Sequence, residues 1–168
     1  MTMVIWSFGF LRMGTVGIVS QAYGRGDYRE IVRTLLRNFV IAMVIALVII
    51  ILKPLIDISI QHFFNTSAET QKLIKTYLNV RVFSVPAELV IYILVGFYLG
   101  IQKTKISSLM IVILSILNIV FSSILVLSYN LNVFGVALGT LLASFITVII
   151  FVLFTYQFFI IKFKLIPR

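Results

Sequence analysis

Arg12, Arg81 and Glu88 stand inside apolar runs of this 168-residue chain, where few neighbours can offset a charge. In hydrocarbon a carboxylate is costly unless it is protonated, paired or turned toward water, and such acids mark proton or ion pathways. Glu88 is the acid in that position. Arg81, Ser84, Glu88 and Tyr92 follow at spacings of three, four and four, which places them on one helical face. Arg81 falls near the expected membrane boundary, where its long stem lets the guanidinium reach water. Pro86 lies inside the same run; it frees the carbonyl of Val82 and predicts a kink. Arg12 has no such exit. Its counter-charge is expected to be Glu88, or an acid on a helix preceding Met1. Asn118 shares a seam with Ser108, Ser115 and Ser122, a pattern that glues helices together or lines a polar path.

Other chemistry is poorly provided for. The remaining acids, Asp27, Glu30, Asp57 and Glu69, fall in polar stretches between the apolar runs or at their ends. The single histidine, His62, sits in an expected loop without other ligands nearby. With no cysteine, disulfides and thiolate metal sites are excluded. The Gly-x-Gly at Gly24 and Gly26 follows a helix and not a strand, so it does not read as a phosphate loop. The expectation is a protein that is no enzyme, with no catalytic residue, no metal and no bound cofactor.

These residues must be carried by elements that live in lipid. Hydrophobic residues make up 61% of the chain and charged residues 11%, against about half and a quarter in soluble domains. Mean hydropathy is +1.17. The net charge of +9 therefore reads as a topology signal and not as a nucleic-acid footprint, because the basic residues sit in short segments between apolar runs. Five runs approach the roughly 20 residues needed to span a bilayer: 1–22, 38–60, 77–100, 106–128 and 134–161. They are too long for barrel strands and lack alternation. The expected fold is all-α, a polytopic transmembrane bundle of five helices in a single domain over 1–168.

Basic residues set the orientation. Arg25, Arg29, Arg33, Arg37, Lys103, Lys105, Lys162, Lys164 and Arg168 fall on one side, whereas Lys53, Lys72 and Lys75 fall on the other. This predicts a cytoplasmic C-terminus and an outside N-terminus in the inner (plasma) membrane. Local signals agree: a turn at Gly24–Asp27, a helix stop at Lys53-Pro54, and a capping box at Thr66–Glu69. The first run has no leading basic residues and an arginine within its apolar part, so it does not read as a signal peptide; it reads as a helix that has lost a preceding span.

Stripes of small residues predict which faces meet. Gly14 and Gly17, with Gln21 and Gly24, form one face of the first helix, opposite Arg12. Gly135, Gly139, Ala143 and Thr147 form one face of the last. Both are expected packing faces. The aromatic run Phe151, Phe154, Tyr156, Phe158 and Phe159 is expected to face lipid or the interface.

Three stretches together carry a family resemblance. FLRMGTVGIVSQAYGRGD (10–27) resembles the second-helix signature of the multidrug and toxin extrusion (MATE) transporters, particularly their DNA-damage-inducible protein F-like branch. YLNVRVFSVPAELVIYILVGFYLGIQKTK (77–105) is similar to that branch's fourth helix and the turn after it. LNIVFSSILVLSYNLNVFGVALGTLLAS (117–144) is similar to its fifth and sixth. The resemblance covers nearly the whole chain in order. It implies a twelve-helix transporter of two lobes that exchanges protons or sodium for lipophilic or cationic compounds, of which this chain would be helices two to six. The first helix, with the family's coupling aspartate, and the second lobe would then be missing, so the chain is expected to be inactive alone. Its expected partners are the lipid bilayer, the remaining parts of the transporter encoded by adjacent reading frames, and a small substrate once assembled. Arg12, Arg81, Glu88 and Asn118 would face the lobe interior. Glu88 sits where the branch is expected to carry a small residue, so no family role transfers to it. Two rival expectations stay open: a structural membrane protein or gene remnant without transport, and a lipid-linked oligosaccharide flippase-like protein.

Overall fold

The computed structural model describes residues 9–55 and 67–163. Among the described residues six α-helices follow one another: α1 Gly9–Gly24, α2 Tyr28–Ile51, α3 Ala68–Arg81, α4 Val85–Gly100, α5 Thr104–Leu127 and α6 Asn132–Phe163. A 3₁₀ turn, Val82–Ser84, joins α3 to α4. The two form one 32-residue rod, Glu69–Gly100, so the bundle has five rods. Four of these rods are long and apolar enough to cross a membrane within the described residues; the first eight residues of the first expected span lie outside them. His62, Asp57 and Thr66 also lie outside.

The boundaries differ from the hydropathy runs where polar residues extend a helix beyond lipid. Helix α2 begins at Tyr28, ten residues before its apolar run, because Asp27 caps it. The carboxylate accepts from the Glu30 N–H at 3.0 Å, an anion at a helix N-terminus. Arg29, Arg33 and Arg37 therefore lie on a helix and not in a loop. Glu30 sits 3.9 Å from Arg33 and 3.8 Å from Arg37, exposed pairs that contribute little. Gly26 makes the preceding turn at φ +69°, a conformation that disfavours a side chain. At α3 the cap is Ser67, whose hydroxyl accepts from the Thr70 N–H. Helix α2 stops at Ile51, just ahead of Lys53-Pro54.

Helix α4 is the axis of the bundle. It touches α1, α2, α5 and α6, and twelve of its sixteen residues are buried. The closest approach to α1 is made by Gly96 and Gly100. A Cβ on Gly96 would stand 2.7 Å from the Arg12 carbonyl oxygen and 2.9 Å from Thr15 Cβ; one on Gly100 would meet Val19 Cγ1 at 2.7 Å. This is the small-xxx-small contact by which helices associate in lipid, where apolar burial supplies no drive. A polar clasp adds α2: Asn38 Nδ2 donates to Thr15 Oγ1 at 2.8 Å, and Thr15 in turn donates to the Leu11 carbonyl at 2.6 Å.

The expected glycine face of α1 is not the packed one. Gly14 and Gly17 have open space where a Cβ would go, while Leu11, Thr15, Val19 and Ala22 are buried. The β-branched face opposite the Gly96–Gly100 groove makes the tighter fit. On α6 the stripe does pack. A Cβ on Gly139 would lie 2.7 Å from the Ser122 backbone nitrogen, and one on Gly135 3.2 Å from the Leu125 carbonyl. Phe151 departs from the expected lipid-facing belt: it is buried against the edge of Tyr98, ring centroids 6.5 Å apart. The Tyr98 hydroxyl is tied to Thr155 at 2.7 Å, whereas Phe154 and Tyr156 are exposed.

Candidate functional site

Helices α3 and α4 meet at the 3₁₀ turn, and the charges straddle it. Pro86 is the second residue of α4 and has no N–H to give to Val82. The Val82 carbonyl is nevertheless satisfied, since the Val85 N–H bends back to it in the 3₁₀ pattern. The predicted free carbonyl is thus replaced by a tightened turn. That turn brings Arg81 and Glu88, seven residues apart, into contact.

Arg81 donates to Glu88 Oε1 and to the Ser84 hydroxyl. The single Ser84 proton has two acceptors in reach, the Arg81 carbonyl at 2.7 Å and Glu88 Oε1 at 3.0 Å. The two charged side chains are 11% and 12% exposed. Such an ion pair is costly to bury unless hydrogen bonds complete it, and Ser84 supplies one. Arg81 therefore turns inward and does not snorkel to the boundary. Glu88 is the partner of Arg81, not of Arg12.

Arg81 and Glu88 open onto a cavity of ≈ 190 Å³ lined also by Ile91, Tyr92, Leu114, Asn118, Thr140 and Ser144. Asn118 comes from α5, where its Oδ1 accepts from Ser122 at 3.1 Å and lies 3.4 Å from Thr140 Oγ1. Of the seam predicted on α5, Asn118 and Ser122 face α6, while Ser108 and Ser115 are exposed. Thr140 and Ser144 were not anticipated, though their four-residue spacing beside Gly139 and Ala143 carries the signal. Each also bonds to its own helix, Thr140 to the Val136 carbonyl and Ser144 to the Thr140 carbonyl.

Arg12 stands apart. It is half-buried on α1, within electrostatic reach of the Tyr92 hydroxyl, and it has no ion pair among the described residues. So the structure gathers Arg81, Glu88 and Asn118 around one cavity and leaves Arg12 at its edge. Among the described residues no three metal-binding side chains converge.

Known proteins share this arrangement of helices. The MatE family model matches residues 1–124. The DNA damage-inducible protein F of Escherichia coli (strain K12) is 34% identical over 142 residues, 84% of this chain and 31% of that protein. The multidrug export protein MepA of Staphylococcus aureus (strain bovine RF122 / ET3-1) is 30% identical over 145 residues, 84% of this chain and 32% of that one. An inward-facing multidrug resistance MATE family transporter of the MOP superfamily superposes with a TM-score of 0.82 at 21% identity, over 89% of this chain and 34% of that chain. The chain thus spans about a third of the length of the proteins it matches. It is a multi-pass integral membrane protein that belongs to the MATE family of multidrug efflux transporters.

Proposed function

We propose that the chain forms part of one lobe of a proton- or sodium-coupled antiporter that expels lipophilic or cationic compounds from the cell. In this reading it catalyses no reaction and holds no cofactor beyond the coupling ion. The observation that carries the reading is a cavity inside the bundle with a nearly buried ion pair at its wall. Lipid-exposed helices have no use for a 190 Å³ recess lined by Arg81, Glu88, Tyr92, Asn118 and Thr140, whereas an alternating-access pathway needs such a recess near mid-membrane. Relatives described as multidrug export proteins support the substrate class.

The partners are the surrounding bilayer and the remaining helices of the transporter. The lobe sits in the inner membrane with its C-terminus cytoplasmic, a reading that rests on the excess of lysine and arginine on that side. The test is resistance to cationic dyes in an efflux-deficient strain. This chain alone is expected to confer none, while co-expression with the remaining helices restores resistance that acidic external pH or sodium drives. Resistance from the chain alone, or none from the assembly, overturns the proposal.

A further inference from the structure

The rod Glu69–Gly100 is unequal about its break. Below the 3₁₀ turn, α4 is the buried axis of the bundle. Above it, Leu78 is the buried residue among the described side chains of α3, and the main support of α3 is α6. A 3₁₀ stretch inside a helix is a place where a hinge can form, and this one joins a segment packed against four helices to one supported mainly by α6. A single device bridges the hinge at the cavity: Arg81 on the α3 side, Glu88 on the α4 side, and Ser84 in the turn between them.

We infer that Glu88 is a proton-binding site whose occupancy unlatches α3 from α4. With Glu88 ionised, the pair holds the arm closed over the cavity. When a proton from cavity water bonds to a Glu88 carboxylate oxygen, the side chain becomes neutral and Arg81 keeps its charge without a counter-ion. A lone guanidinium in that position is expensive, and its long stem gives it an exit toward water at the α3 end of the rod. The arm follows. Deprotonation to the other side of the membrane restores the pair. The groups that face Glu88 do not replace this role. Tyr92 on α4 lies near Glu88, while Tyr77 on α3 lies near Arg81 and Arg12 on α1 near Tyr92; α5 and α6 bring the neutral Asn118, Thr140 and Ser144 to the cavity. Helix α2 presents no charged residue between Arg37 and Lys53. The inference deepens the antiporter reading and rests on it for the purpose of the movement.

The test reads the arm and not transport. The chain has no cysteine, so spin labels at Lys72→Cys on α3 and Tyr129→Cys beside the α5–α6 turn report without background. In lipid nanodiscs, acidification should shift the distance distribution. Glu88→Gln should fix the acid-form distribution at every pH. Arg81→Met, which removes the latch but keeps the acid, should also abolish the shift. If Arg81→Met, the more destabilising removal, fails to fold, Glu88→Gln and Glu88→Asp carry the test, the latter retaining the response to pH. A distribution unchanged by pH, a Glu88→Gln variant that titrates like the parent, or a shift driven by sodium at constant pH overturns the inference. A pH-dependent arm in an assembly that exchanges nothing would defeat the antiporter reading and leave the latch standing.

Discussion

At the scale of the residue, the Arg81–Glu88 pair is asymmetric in what its removal leaves behind. Both side chains are nearly buried, and breaking such a pair costs about 3–5 kcal/mol where the surviving charge has no escape. Removal of Glu88 leaves an arginine with a long stem and a nearby hinge, so Glu88→Gln should cost less than that range. Removal of Arg81 leaves a carboxylate on the buried axis helix with Ser84 as its one remaining hydrogen-bond partner among the described residues, so Arg81→Ala should destabilise by about 3 kcal/mol or more. The double change Arg81→Met with Glu88→Met should fall near neutral, since apolar residues replace a pair whose desolvation offsets most of its attraction. Unfolding of the purified chain in mixed micelles, run as a double-mutant cycle, reads all three. Equal losses for the two single changes would argue that Arg81 has no path to water, and the hinge mechanism would lose its driving force.

At the scale of the element, the glycines separate contact from exposure. A Cβ on Gly96 collides with the backbone oxygen of Arg12 and with Thr15, neither of which can rotate away. Gly96→Ala should therefore push α1 from α4 and cost about 1–3 kcal/mol. Gly14→Ala and Gly17→Ala enter open space and should change the stability of this chain by less than about 0.5 kcal/mol. The same micelle unfolding measures both. A large effect at Gly14 or Gly17 would mean that the packed face of α1 is misassigned. This contrast also shows what the amino-acid sequence reveals and conceals. The spans were legible because crossing lipid imposes a length and an apolar composition, and the caps and turns because Asp27, Gly26 and Pro54 have fixed backbone consequences. The facing sides were not, because lipid and protein interior favour the same side chains and no polar face distinguishes them. Nothing in the sequence sets Gly96 and Gly100 above Gly14 and Gly17; what chooses them is the complementary relief of Thr15 and Val19 across the groove. The cavity was half legible: Glu88, Arg81 and Asn118 stood out as polar groups among apolar ones. Their pairing depended on a 3₁₀ turn that Pro86 hinted at but did not specify, and of the two acids considered for Arg12, Glu88 is already held by Arg81.

At the scale of the whole molecule, orientation decides which solution reaches the cavity and which end of the long rod is free to swing. The turn between α4 and α5 carries Lys103 with Lys105 just inside α5, and the turn between α1 and α2 carries Arg25 with Arg29 just inside α2. Tyr23 from the end of α1 lines the same recess as Lys103 and Lys105, so these basic residues share one end of the bundle. The turn between α5 and α6 carries none. The potential of the cytoplasmic leaflet holds lysine and arginine on its own side, and short loops obey this bias most strictly. Single cysteines at Lys105 and Asn130 should therefore react from opposite sides of the membrane in intact cells. A membrane-impermeant maleimide is expected to block Asn130→Cys, while Lys105→Cys should react only after permeabilisation. The opposite pattern would invert the bundle, open the α3 arm toward the cytoplasm and reverse the side from which a proton reaches Glu88. Labelling at both positions without permeabilisation would instead indicate a mixed topology. In that case the basic residues at the Lys103–Lys105 end do not by themselves orient the bundle.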